Sequence, residues 1–62
     1  MKFIKNDKIQ INTFGADWLG IAKGKKGTVV GFSRTPLCVR VIFDGQKTPQ
    51  IIHESLISKI RS

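Results

Sequence analysis

Cys38-Val39-Arg40-Val41-Ile42-Phe43 alternates along a β-branched run, and Asp44-Gly45 follows it at once. A period of two sends successive side chains to opposite faces of a strand, so Val39, Val41 and Phe43 share one face and Cys38, Arg40 and Ile42 the other. Asp-Gly after such a run predicts a hairpin, because glycine accepts the positive φ of a tight turn. The return strand is expected over Thr48 to His53, with Pro49 marking its edge or entry.

The flanking sequence supplies the other strands. Asp7-Lys8-Ile9-Gln10-Ile11-Asn12 alternates polar and apolar residues and reads as a half-buried strand. Gly27-Thr28-Val29-Val30-Gly31-Phe32 is a second, opened and interrupted by glycine, and Gly31 is a candidate bulge. Between them, residues 13–26 show no clean period and read as a long loop with Phe14, Trp18, Leu19 and Ile21 as its apolar members. Ser33-Arg34-Thr35-Pro36 is a turn or loop. Glu54-Ser55-Leu56-Ile57 suits one helical turn, and Ser58-Lys59-Ile60-Arg61 alternates again. Five short strands with a helical turn before the last predict an all-β fold, a small SH3-like barrel forming one domain over residues 1–62. A five-stranded OB-type barrel competes, but it places a longer helix between strands three and four, where only Asp44-Gly45 stands. The expected core is Ile9, Ile11, Val29 or Val30, Val39, Val41, Phe43, Ile51, Leu56 and Ile60.

Composition limits the function. The 62 residues carry 11 Lys and Arg against 4 Asp and Glu, a net charge of +7. A chain this short buries a small core and has no room for separate catalytic and cofactor domains. Cys38 is the sole cysteine, so no internal disulfide framework exists. No run approaches the ~18 apolar residues of a spanning helix, and the N-terminal residues lack the apolar stretch of a signal peptide. A cytoplasmic protein without a membrane partner is expected, as a monomer rather than an oligomer. The charge gives a strong positive potential, which fits nucleic acid or an acidic protein surface.

Gly20-Ile21-Ala22-Lys23-Gly24-Lys25-Lys26-Gly27-Thr28-Val29 resembles the KOW motif of SH3-like barrels in ribosomal proteins and transcription elongation factors. Asn6-Asp7-Lys8-Ile9 is similar to the Gly-Asp-x-Val entry of such domains, with Asn6 in place of glycine, and the resemblance spans residues 6–45. It implies a nucleic-acid contact through the basic glycine loop. The segment from Gly31 to Pro36, with Cys38-Val39-Arg40-Val41 and Asp44-Gly45-Gln46-Lys47-Thr48-Pro49, is similar to small uncharacterised proteins of tailed phages and prophages. Pro49-Gln50-Ile51-Ile52, followed by Leu56 and Ile60, resembles the Val-Gln-Ile-Tyr signature of the type B dihydrofolate reductases. Ile52 replaces the tyrosine there, and Asn12 and Thr13 stand where that family places its pore lysine.

Lys23, Lys25 and Lys26 lie within four positions beside glycines, where ammonium and backbone N–H groups can meet phosphates. Thr28 follows Gly27, so the P-loop pattern is absent. Trp18 either stacks on unpaired bases or caps an open end of the barrel. Phe14 is expected to be buried. Arg34 is expected on the same end of the barrel as the lysines. Arg40 faces outward, either toward phosphate or paired with Asp44 or Glu54. His53, Cys38 and four scattered carboxylates supply no metal-ligand spacing. Cys38 reads as a half-buried strand residue, and Ser33, Ser55 and Ser58 lack a nucleophile-elbow context. The sequence therefore predicts a non-catalytic binding module without cofactor or metal, contacting nucleic acid through Lys23, Lys25, Lys26, Arg34 and Trp18. The alternatives are a phage-type adaptor that grips an acidic host protein and, remotely, a reductase-like oligomer.

Overall fold

The computed structural model describes residues 3–60. The chain runs β1 (Lys8–Ile11), α1 (Thr13–Leu19), β2 (Lys26–Phe32), β3 (Cys38–Phe43), β4 (Gln50–His53), a 3-10 turn (Glu54–Leu56) and β5 (Ile57–Lys59). The five strands form one antiparallel sheet in the order β4-β3-β2-β1-β5. This is the all-β architecture of the small SH3-like barrel expected from the sequence. β2 holds it together: its first residues, Lys26 to Thr28, pair with β1, and β3 pairs along it from Gly27 to Phe32. The register shifts between Val29 and Gly31, leaving Val30 as the extra residue. Such a bulge bends a strand, and here it assigns Val29 to the core and leaves Val30 half-buried. No helix among the described residues is long and apolar enough to cross a membrane.

Part of the expected long loop is helical. Asn12 caps α1, its Oδ1 accepting from the Gly15 N–H at 2.8 Å. Gly20 ends it in the left-handed region at φ 67°, its N–H donating to the Ala16 carbonyl. Asparagine before a helix and glycine after it satisfy the end groups that a helix leaves open. Seven residues are too few for a stable isolated helix, so α1 depends on what it packs against. Gly15 is its one buried residue, and a Cβ there would stand 2.2 Å from the Leu56 carbonyl oxygen. The missing side chain lets α1 lie directly on the 3-10 turn.

The core contains Phe3, Ile9, Ile11, Val29, Val39, Val41, Phe43, Ile52 and Ile57, with Ala16, Leu19, Ile21 and Leu56 packed against it. Three expectations change. Ile51 is 60% exposed and Ile52 3%, because β4 pairs Ile52 with the buried Val39 and Ile51 with the outward Arg40. Ile57, opposite Ile11, is buried, while Leu56 and Ile60 are half-buried. Phe3, ahead of the first strand, joins the core. The return strand also starts later than expected, at Gln50. The Asp44-Gly45 turn does form, closed by Gln46 N–H to the Phe43 carbonyl at 2.9 Å with Gly45 at φ 84°, but residues 46–49 separate it from β4. For the last strand, Ser58 and Lys59 lie in β5, and Arg61 falls outside the described residues.

A polar node ties the N-terminal segment to the barrel. The Asp7 carboxylate accepts the Ile4 N–H at 2.9 Å and pairs with Lys59 Nζ at 3.2 Å. Lys59 Nζ also stands 6.0 Å from the centre of the Phe3 ring. The Ile4 N–H, followed by Lys59, holds the Asp7 carboxyl below its ordinary value despite opposing desolvation.

Candidate functional site

The lysine turn is fixed by backbone. Ala22 to Lys25 form a β-turn closed by Lys25 N–H to the Ala22 carbonyl, with Gly24 at φ 85°. Only glycine takes that conformation without strain, which explains its place between two lysines. The turn is then bonded to the last residue of β1 on both sides: Gly24 N–H donates to the Ile11 carbonyl at 2.8 Å, and Ile11 N–H donates to the Lys25 carbonyl at 2.9 Å. Lys23 and Lys26 are exposed and Lys25 is half-buried. Gly27, next in line, serves close packing: a Cβ there would lie 2.8 Å from Val41 Cγ1 and 3.0 Å from the Ile42 carbonyl oxygen. A side chain at position 27 would push β2 off β3, so the glycine after the lysines is a demand of the barrel.

One residue beyond Ile11, Asn12 starts the helix that carries the aromatics. Phe14 and Trp18 stand at i and i+4, which places them on the same helix face. Phe14 is 74% exposed and Trp18 80%. Phe14 is thus not a core residue, contrary to expectation. Gly15, Ala16 and Leu19 take the inward face of α1 and turn positions 14 and 18 outward. The two rings border a largely apolar cleft of about 760 Å3, completed by Asp17, His53, Ser55 and Leu56. His53 supports this wall: its Nδ1 accepts the Ser55 N–H at 3.1 Å and caps the 3-10 turn. That acceptor role puts the proton of the neutral ring on Nε2.

The structure brings Lys23, Lys25, Lys26 and Trp18 to one end of β1 and separates Arg34 from them. Lys26 is the first residue of β2 and Arg34 lies two beyond its last, so they stand at opposite ends of a strand about 20 Å long. The expectation of both loops at one end fails because β2 connects them without reversing. Arg40 is exposed and outward, with its Cδ beside Gly31, and forms no ion pair with Asp44 or Glu54. Cys38 is buried, at the start of β3. Among the described residues, no group of three or more His, Cys, Asp or Glu side chains gathers. Sequence reading missed the joint exposure of Phe14 and Trp18. The Asn12 and Gly20 helix brackets were the signal that could have revealed it.

No protein-family model, curated protein or solved structure matches this chain.

Proposed function

We propose that this protein is a non-catalytic module that binds single-stranded or irregular nucleic acid at the α1 end of the barrel. The observation that supports it is the exposed Phe14–Trp18 pair on a helix that begins one residue from the anchor of the lysine turn. A domain this small rarely leaves two large rings in water, since it needs apolar burial for stability. Exposed rings stack on unpaired bases, at about 1–3 kcal/mol per base. Lys23, Lys25 and Lys26 supply charge for the phosphates, within a chain of net charge +7. The only helix among the described residues besides the 3-10 turn spans seven residues and carries no basic group. It is therefore no reader of a duplex major groove, and binding is weakly dependent on sequence.

The test is a titration of labelled single-stranded RNA and DNA of about twenty nucleotides across salt concentrations. Each phosphate contact contributes about −0.7 to the log–log slope, so three lysines give roughly −2, with micromolar or weaker affinity at physiological salt. Changing Lys23, Lys25 and Lys26 together to Gln flattens the slope. Trp18→Ala weakens binding and leaves the slope nearly unchanged. If the triple variant keeps the wild-type slope, the lysine turn is not the contact surface.

A further inference from the structure

A second cleft, of about 430 Å3, opens over β2, β3 and β4 and shares no lining residue with the cleft at α1. It is lined by Phe32, Ser33, Arg34, Arg40, Pro49 and Ile51. The strand register explains it. Gly31, Arg40 and Ile51 form one outward cross-strand row over β2, β3 and β4. Gly31 has no side chain, and the Arg40 stem lies across it, Cδ 3.7 Å from where a Cβ would stand. Phe32 and Ile51 are both largely exposed. The cleft borders β4, an edge strand that among the described residues pairs only with β3, leaving its other side open.

The charge of this cleft is unmatched. Arg34 and Arg40 are both exposed, and none of the lining residues is acidic. The one ion pair among the described residues joins Asp7 to Lys59, so neither arginine has a carboxylate partner among them. We propose that this cleft docks an extended acidic peptide segment of a partner protein. One apolar side chain of the segment sits between Phe32 and Ile51, and flanking carboxylates meet Arg34 and Arg40. Guanidinium groups pair with carboxylates in a two-point geometry, as they also do with phosphates, so the arginines supply affinity for an acidic segment and two other features favour a peptide over nucleic acid here. Ile51 and Pro49 are aliphatic and give the cleft an apolar wall that a nucleotide has no side chain to fill. The open β4 edge offers backbone hydrogen bonds to an extended chain, which is how sheet edges recruit peptides.

The probe is a fluorescein-labelled peptide of about twelve residues, rich in Glu and Asp with a central Leu pair, followed by anisotropy. A second peptide carries Ser in place of the leucines, and labelled single-stranded RNA is run in parallel. The acidic Leu peptide should bind saturably, and ¹⁵N amide shifts should move at Phe32, Arg40 and Ile51. Ile51→Ser and the double variant Arg34→Gln/Arg40→Gln should each weaken it by about tenfold or more, the scale at which one apolar anchor or charge pair matters. Circular dichroism checks that these surface variants remain folded. The triple lysine variant should bind the peptide within about twofold of wild type, so this proposal stands or falls apart from the nucleic-acid reading. It is overturned if the peptide does not saturate, if the Ser peptide binds equally, or if shifts move at the lysine turn instead. RNA affinity that depends on Arg34, Arg40 and Ile51 when peptide affinity does not also overturns it.

Discussion

Gly15→Ala is the sharpest perturbation of the contact that builds the aromatic surface. In an ordinary helix interior this change stabilises by about 1 kcal/mol, because alanine loses less backbone freedom than glycine. Here the new methyl would stand 2.2 Å from the Leu56 carbonyl oxygen and 3.0 Å from Ile11 Cγ2. The oxygen is backbone and cannot swing aside, so α1 must withdraw. That withdrawal strains two hydrogen bonds from Asn12: its N–H to the Leu56 carbonyl at 3.1 Å and its Nδ2 to the Ser55 carbonyl at 2.8 Å. Each contributes about 0.5–1.5 kcal/mol net, and the packing of Ala16 and Leu19 on the core loosens as well. The losses exceed the helix gain, and a net destabilisation of about 2 kcal/mol is expected. In a domain of this size that lowers the melting temperature by about 8–16 °C. Urea denaturation followed by circular dichroism measures it, with Asp17→Ala, exposed on the same helix, as the control. A Gly15→Ala protein as stable as wild type, or more stable, refutes the seating of α1 on the 3-10 turn.

Phe3→Ala should cost about 3 kcal/mol or more, as truncation of a buried aromatic does, and a wild-type urea midpoint would place Phe3 outside the core. Leu37 sits at φ 64° after Pro36, in a turn closed by Cys38 N–H to the Thr35 carbonyl. Leu37→Gly should therefore raise stability by about 0.5–1 kcal/mol, relief of left-handed strain outweighing the added freedom of the unfolded chain, whereas a lower midpoint would show no strain there. Asp7 is the acid-sensitive point. Its folded-state pKa is lowered, so its contribution is complete above the unfolded value near 3.8 and is lost as pH falls through the folded value. Asp7→Asn should be less stable than wild type at neutral pH, with the gap closing below about pH 4; a gap unchanged in acid would mean that the carboxylate charge does not stabilise the fold.

β3 was legible in full, from Cys38 to Phe43, because strict alternation admits one phase. A bulge beside Gly31, which falls on Val30, and the late helical turn were legible too, since glycine in a strand and a short polar break each have few structural uses. The phase of β4 was not. Gln50-Ile51-Ile52-His53 places two isoleucines side by side, and only pairing with β3 decides which one turns inward. α1 was hidden by Gly15, which weakens a helical pattern unless the carbonyl of Leu56, 41 positions away, is known to press against it. For the candidate site, the lysines and Trp18 were legible as residue types beside glycine. The separation of Arg34 from them, and its company with Arg40, Phe32 and Ile51, follow from the direction of β2 and from cross-strand rows, which a linear reading does not contain.

Trp18 is the only tryptophan of the chain, so intrinsic emission reports the proposed surface directly. The decisive measurement follows that emission while a single-stranded RNA of about twenty nucleotides is added at about 50 mM salt and again at about 500 mM, with anisotropy of the labelled RNA recorded in parallel. Stacking on Trp18 with phosphates on the lysine turn predicts saturable quenching at low salt that tracks the anisotropy and largely disappears at high salt. RNA that binds without changing the emission, or that fails to bind at low salt, contradicts the account.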